Sequence, residues 1–189
     1  MLSKTLGFMS SLFFVLFAGG VFANNIKYDY AELRYFTGEI DDVDFDGLNI
    51  GGSYRVNNDI FILGHFSDLS ADDTDTDATT LQFGAGYIYP LSPTIDLASS
   101  VSILRVEVEA GGLNADETGF ELATELRTMV SAIPHLEFRG TLAYVDLDDS
   151  DLQLRVAGDY HVNQQFAIGL ELHLAGDVDG LSIGGRYYF

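Results

Sequence analysis

The sequence predicts an all-β fold: a closed antiparallel up-and-down barrel of ten strands that crosses a membrane, with eight strands as the alternative count. Three observations carry this prediction. Apolar and polar residues alternate with period two through most of the chain beyond residue 27. The connections between alternating stretches are by turns short and longer, and the longer ones are acidic. All seven Arg lie within alternating stretches, six of them at the polar parity.

The stretches run in order along the chain. The first, 28–37, carries Glu32 and Arg34 opposite an apolar face, and the second, 47–56, carries Arg55. The third, 60–68, is apolar on both parities, so its facing is open. A fourth spans 79–89. In the fifth, 95–108, Leu97, Val101 and Ile103 share a parity with Arg105 and Glu107, which predicts a bulge near Leu104. The sixth, 118–130, is the clearest, with Phe120, Leu122, Leu126 and Val130 alternating with Glu121, Glu125 and Arg127. Glu137 and Arg139 mark the polar parity of 135–145, and Arg155 that of 151–162. Glu171 does so for 165–174 and Arg186 for 180–189. Most stretches match the 9–11 residues, about, that a tilted strand needs to cross a bilayer.

The short connections are "VNND" at 56–59, "YPLSPT" at 89–94, "SAIPH" at 131–135 and "VNQQ" at 162–165, and their similarity suggests one turn unit used repeatedly. Sixteen of the 20 Asp fall in the five longer segments. One of these, "DDVDFDG" at 41–47, spells the first half of an EF-hand loop. The twelfth position, which must be a bidentate Glu, is Ser53, and the flanks alternate where helices are needed. The motif is therefore one of a family of acidic hairpin loops.

Bulk composition narrows the class further. Residues 1–23 read as a cleaved signal peptide: Lys4 is the only charge, Leu12–Phe17 is apolar, and Val21-Phe22-Ala23 suits a signal peptidase. Residues 24–189 then form one barrel domain, with a net charge of −21 once Lys4 is removed from the −20 total. Such acidity argues against nucleic acid as a partner. There is no cysteine, and no later stretch is long and apolar enough for a membrane helix. No nucleotide, haem or zinc spacing appears, so no cofactor is expected.

The choice between a soluble and a membrane barrel turns on what the apolar face touches. An Arg facing lipid near the midplane costs about 2–4 kcal/mol, whereas in a lumen it can pair with carboxylates. The expected lumen network comprises Glu32, Arg34, Arg55, Glu121, Glu125, Arg127, Glu137, Arg139, Arg155, Glu171 and Arg186, with Gln82, Gln153 and His173 beside it. Tyr28, Tyr30, Tyr54, Tyr87, Tyr89, Tyr160 and Phe166 gather at the short-turn end, and Tyr35, Phe36, Phe66, Phe120 and Tyr144 at the other. They read as two interfacial girdles, with short turns periplasmic, longer loops outside the cell and both termini periplasmic. A soluble β-sandwich with an aromatic end is the alternative.

The ending "LSIGGRYYF" alternates to the last residue, and Tyr187 and Phe189 resemble the C-terminal assembly signal of Gram-negative outer-membrane barrels. Over its mature length the chain is similar to the small outer-membrane barrels of the OmpA/OmpX-type class. It is most similar to a ten-stranded subfamily with "YDYAELRY"-like first strands, Asp/Gly-rich loops and units such as "NNDIFILGHF". The resemblance implies the cell outer membrane, insertion by the barrel-assembly machinery, and outer-membrane lipids and lipopolysaccharide as neighbours; no residue names an external ligand.

For function, the lumen is expected to be filled by Arg/Glu pairs, which implies a structural or surface-interaction role; a narrow pore for small solutes is the alternative. The loop carboxylates of Asp42, Asp44, Asp46, Asp73, Asp75 and Asp77, with Asp148 and Asp149, suggest weak Ca²⁺ or Mg²⁺ binding, against a reading as solvated turn residues. His65 and Ser67 form an H-x-S pair, the only hint of a lipid A deacylase-like hydrolase; Asp68 is positioned to point away, so the chain is not expected to be an enzyme. His135 and His161 read as incidental turn residues.

Overall fold

The computed structural model describes residues 26–40, 43–72, 74–176 and 178–189. The expected signal peptide, 1–23, lies outside them, as do Asp42 and Asp73. Ten strands form: β1 Tyr30–Ile40, β2 Val43–Arg55, β3 Ile60–Ala71, β4 Thr76–Ser92, β5 Ile95–Ala110, β6 Leu113–Met129, β7 Leu136–Asp146, β8 Ser150–His161, β9 Phe166–Ala175 and β10 Val178–Tyr188. Each pairs antiparallel with its neighbours in sequence, and β1 pairs with β10 to close the barrel. Closure leaves no unpaired edge, the condition for a sheet to span a bilayer.

The acidic segments are in large part strand where the sequence suggested loop. Ile40 pairs with Val43, Ala110 with Leu113, and Asp146 with Ser150, so these hairpins close in two or three residues. Aspartate disfavours strand locally, but backbone pairing propagated from the apolar section carries the hairpins onward through it. The β5–β6 turn is Gly111-Gly112, both at positive φ (56° and 81°), as the tight two-residue hairpin requires. At the opposite end, the turns at 56–59 and 162–165 are one unit used twice. Asn57 Oδ1 accepts the N–H of Asp59 and Ile60 at 2.9 Å, and Asn163 Oδ1 those of Gln165 and Phe166 at 2.8 and 2.9 Å.

One strand departs from its expected register, and another has its open facing settled. β5 has no bulge at Leu104: its register with β6 runs unbroken from Ile95 to Ala110 and that with β4 from Asp96 to Ala110, the one irregularity in the β4–β5 pairing falling between Pro90 and Ser92. Ile103 and Arg105, two apart on an unbroken strand, both face outward, and the strand leaves the apolar zone between them. Arg105 is held outside by Glu107 at 2.8 Å and Asp116 at 3.3 Å. In β3, Ile60, Ile62 and Phe66 are exposed, while Phe61, Ser67 and Leu69 are buried, which settles its facing.

Leu33, Ile50, Leu81, Phe83, Val101, Ile103, Leu122, Ile168, Leu170 and Ile183 are all exposed on the outer face, while Arg34, Arg127, Glu137, Arg139, Asp159 and Arg186 are buried inside. The polarity of a soluble barrel is inverted, as a lipid-facing surface demands. No helix among the described residues is long and apolar enough to cross a membrane, so crossing falls to the strands.

Candidate functional site: a filled lumen

The interior has three zones along the barrel axis. The middle zone is ionic. Arg34 Nη2 donates to Asp159 Oδ1 at 2.6 Å and Arg139 Nε to Asp159 Oδ2 at 3.0 Å. Arg139 also reaches Glu125 at 3.2 Å and Glu171 at 3.1 Å, and Arg186 Nη2 donates to Glu32 at 2.7 Å. Arg127 grips Glu137 through Nε and Nη2 at 2.8 and 2.6 Å, and Arg155 pairs with Glu121 at 3.2 Å. Strand alternation produces this layer. Residues two apart on one strand share the inward side, and antiparallel register brings the next strand's inward residues level with them.

The network contains ten of the eleven expected residues. Arg55 is the exception: its guanidinium donates to the Ile26 carbonyl at 3.2 Å and lies 5.2 Å from the Tyr28 ring, so it serves the N-terminal segment instead. Five contributors were not anticipated. Asp159 lies at the hub, because its parity on β8 matches Arg155 and its register places it opposite Glu137. His161 is not incidental: its Nε2 lies 3.1 Å from Glu137 Oε2, and its ring stacks on Tyr188 at 5.1 Å. Tyr28, Tyr30 and Tyr188 turn inward to cover guanidiniums, with Arg186 3.9 Å from the Tyr30 centroid and Arg127 4.4 Å from that of Tyr28. Tyr28 and Tyr30 are thus not girdle residues; nor is Phe36, which is buried.

Apolar zones lie above and below. At the acidic-hairpin end, Phe36, Phe45 and Leu69 cluster with Ile40, Ala71, Ala78 and Val178 packed against them. The Phe36 ring sits where a side chain at Gly180 would otherwise stand, at 2.6–2.7 Å from its Cβ position. At the short-turn end, Ile26 and Tyr28 enter the barrel mouth ahead of β1 and pack with Phe61, Ile88 and Ala98. Between the zones, the inward face of β2–β5 is mostly small (Gly51, Ser53, Ser100 and Ser102, for example), and the charged chains of the other strands reach toward it. A cavity of about 190 Å³ remains there, lined by Glu32, Arg34, His65, Gln82, Glu121, Arg155 and His173 among others. It is polar and has room for several waters.

His65 and Ser67 share the inward side of β3, and Asp68 points outward, where Thr79 donates to it at 3.5 Å. Of the carboxylates considered for metal, Asp44 and Asp46 alternate on the outward side of β2, and Asp46 accepts the Tyr35 hydroxyl. Asp77 faces outward on β4 and accepts Ser70 Oγ at 2.7 Å, while Asp75 lies in the preceding turn. Residues two apart along a strand are spaced by about 7 Å, and the structure does not gather these groups. Among the described residues no three His, Asp or Glu come together to hold a metal ion. Tyr187 and Phe189 face outward with Phe166, at ring distances of 6.4 and 5.0 Å from Tyr187.

No protein-family model matches the chain, and no curated protein matches it. Solved structures do. The β domain of the Bordetella autotransporter BrkA superposes with a TM-score of 0.54 at 9% identity, covering 86% of this chain and 99% of that one. The NanC porin gives 0.51 at 8%, covering 85% and 99%, and the KdgM porin 0.49 at 13%, covering 85% and 99%. At such identities the likeness speaks to fold alone. With the closed ten-strand sheet and its outward apolar face, the likeness to the first two shows that the protein has the fold of the small outer-membrane β-barrels.

Proposed function

We propose that the protein is a surface-exposed integral outer-membrane barrel with a structural or interaction role, whose lumen does not conduct. One observation carries this: an ion-paired layer fills the interior and apolar clusters lie at both of its ends. A continuous water path, which a pore requires, would have to pass Phe36, Phe45 and Leu69 as well as Ile26 and Tyr28. The short turns and termini face the periplasm in this reading, and the acidic hairpins extend outside the cell. There, Arg105 is flanked by Glu107, Glu109, Asp116 and Glu117, a surface suited to the divalent-bridged anionic sugars of lipopolysaccharide. Insertion by the barrel-assembly machinery through Tyr187 and Phe189 belongs to the same reading. His65 and Ser67 face the interior, where acyl chains on the outer surface do not reach them, so no hydrolase activity is proposed.

The likeness to the NanC porin, together with the polar cavity, favours a second reading as a narrow pore for small solutes. Planar-bilayer recording on refolded protein separates the two. The expected result is no steady single-channel conductance at moderate voltage; reproducible, salt-dependent steps establish the pore and overturn the filled-lumen reading.

A further inference from the structure

The two apolar closures differ in kind. The one at the acidic-hairpin end is built from strand residues of β1, β2 and β3, so it cannot leave without breaking the barrel wall. The other depends on residues 26–29, which precede β1 and meet the β1–β10 seam only at its end, where the Phe189 N–H donates to the Asp29 carbonyl at 3.2 Å beyond the first strand pair, Tyr30 with Tyr188. This segment lies across the mouth and is tethered by a few polar contacts. Arg127 Nη2 donates to the Lys27 carbonyl at 3.0 Å, Lys27 Nζ to the Gln164 carbonyl at 2.8 Å, Arg55 Nη2 to the Ile26 carbonyl at 3.2 Å and the Arg55 backbone N–H to Asp29 Oδ1 at 2.7 Å. The Arg127 and Arg55 guanidiniums lie 4.4 and 5.2 Å from the Tyr28 ring. Ile26 and Tyr28 are each only 2% exposed, and Tyr28 both packs in the apolar cluster and lines the polar cavity above it.

We propose that residues 26–29 are a detachable stopper: the segment seals the polar cavity from the short-turn end, and its withdrawal admits water and small polar solutes from that side only. A handful of hydrogen bonds, two cation–ring contacts at Tyr28 and two buried side chains hold it, against a wall joined by ten strand pairings. The barrel therefore keeps its fold when the segment leaves. The proposal extends the filled-lumen reading but does not need it: a stopper can close a dead-end chamber or one end of a channel.

The chain has no cysteine, so a single reporter thiol is clean. Ser100→Cys places one on the cavity wall, inward on β5. The full-length protein is refolded in detergent, and its reaction with 2-aminoethyl methanethiosulfonate is timed by mass. With Ser100→Cys alone, labelling is expected to be at least 10-fold slower than at an exposed Leu113→Cys control. Adding Tyr28→Ala or Ile26→Asp raises the rate at least 10-fold, whereas Tyr28→Phe leaves it slow. Heat-modifiable gel migration reports the folded barrel in each case. Fast labelling with the segment intact overturns the proposal, as does slow labelling in both opened variants. If neither opened variant yields a folded barrel, the segment is part of the fold and is no stopper. Steady conductance through the wild-type protein strikes the filled-lumen reading and leaves the labelling contrast to judge the stopper.

Discussion

Asp159→Asn is expected to cost the barrel about 3–5 kcal/mol, the range for removing one partner of a buried ion pair. Asp159 is buried and holds Arg34 at 2.6 Å through one oxygen and Arg139 at 3.0 Å through the other, with Arg186 Nη1 3.9 Å away. The amide keeps the volume but has one acceptor where two were used, and its NH₂ faces a guanidinium. Two or three buried cations then share fewer carboxylates, and the low dielectric magnifies the imbalance. Glu171→Gln makes the comparison: its carboxylate meets Arg139 at 3.1 Å near the cavity, and Arg139 retains Asp159 and Glu125. A loss of about 1 kcal/mol is expected there. Urea unfolding in lipid vesicles measures both, and equal losses would show that Asp159 is not the hub.

That Asp159 had to be found in the structure shows where sequence reading stops. The parity of β6, β7 and β8 was legible, and with it the inward placement of Glu121, Arg127, Glu137, Arg139 and Arg155. Asp159 shares that parity, but aspartate in this chain is overwhelmingly a hairpin residue, and composition drew attention away from the one at the centre. Tyr28, Tyr30 and Phe36 failed in the opposite way. Nearness to a strand end suggested a girdle, yet parity on β1 puts Tyr30 and Phe36 on the side of Glu32 and Arg34. Where the two cues conflict, pleat geometry decides, since a strand cannot turn one side chain over without a bulge. The Leu104 region teaches the same lesson: a change from Ile103 to Arg105 on one face marked the upper limit of the apolar zone, not a slip in register. The interior closures were not legible, because they depend on which inward residues on non-adjacent strands stand level, and on a segment ahead of β1 folding into the mouth.

Leu170→Arg tests the inverted geometry from the outside. Phe166, Ile168, Leu170, Leu172 and Leu174 form one outward column on β9, and Leu170 is its centre, paired with Ile183 on β10. Five alternate positions span about 26 Å of strand at about 3.3 Å per residue, so with strand tilt the middle lies far from either interface. The guanidinium has no carboxylate to meet on that face, and its desolvation is uncompensated. The expected cost is about 2–4 kcal/mol in vesicles. Leu113→Arg, at the tip of the β5–β6 hairpin and 78% exposed, is expected to change stability by no more than about 0.5 kcal/mol. A soluble barrel makes the contrary forecast: Leu170 would be an ordinary exposed apolar residue at 49% exposure, and Arg there would be neutral and would improve solubility. Equal, small effects at both positions would therefore mean that no hydrocarbon touches β9, and the outward column would need a different partner.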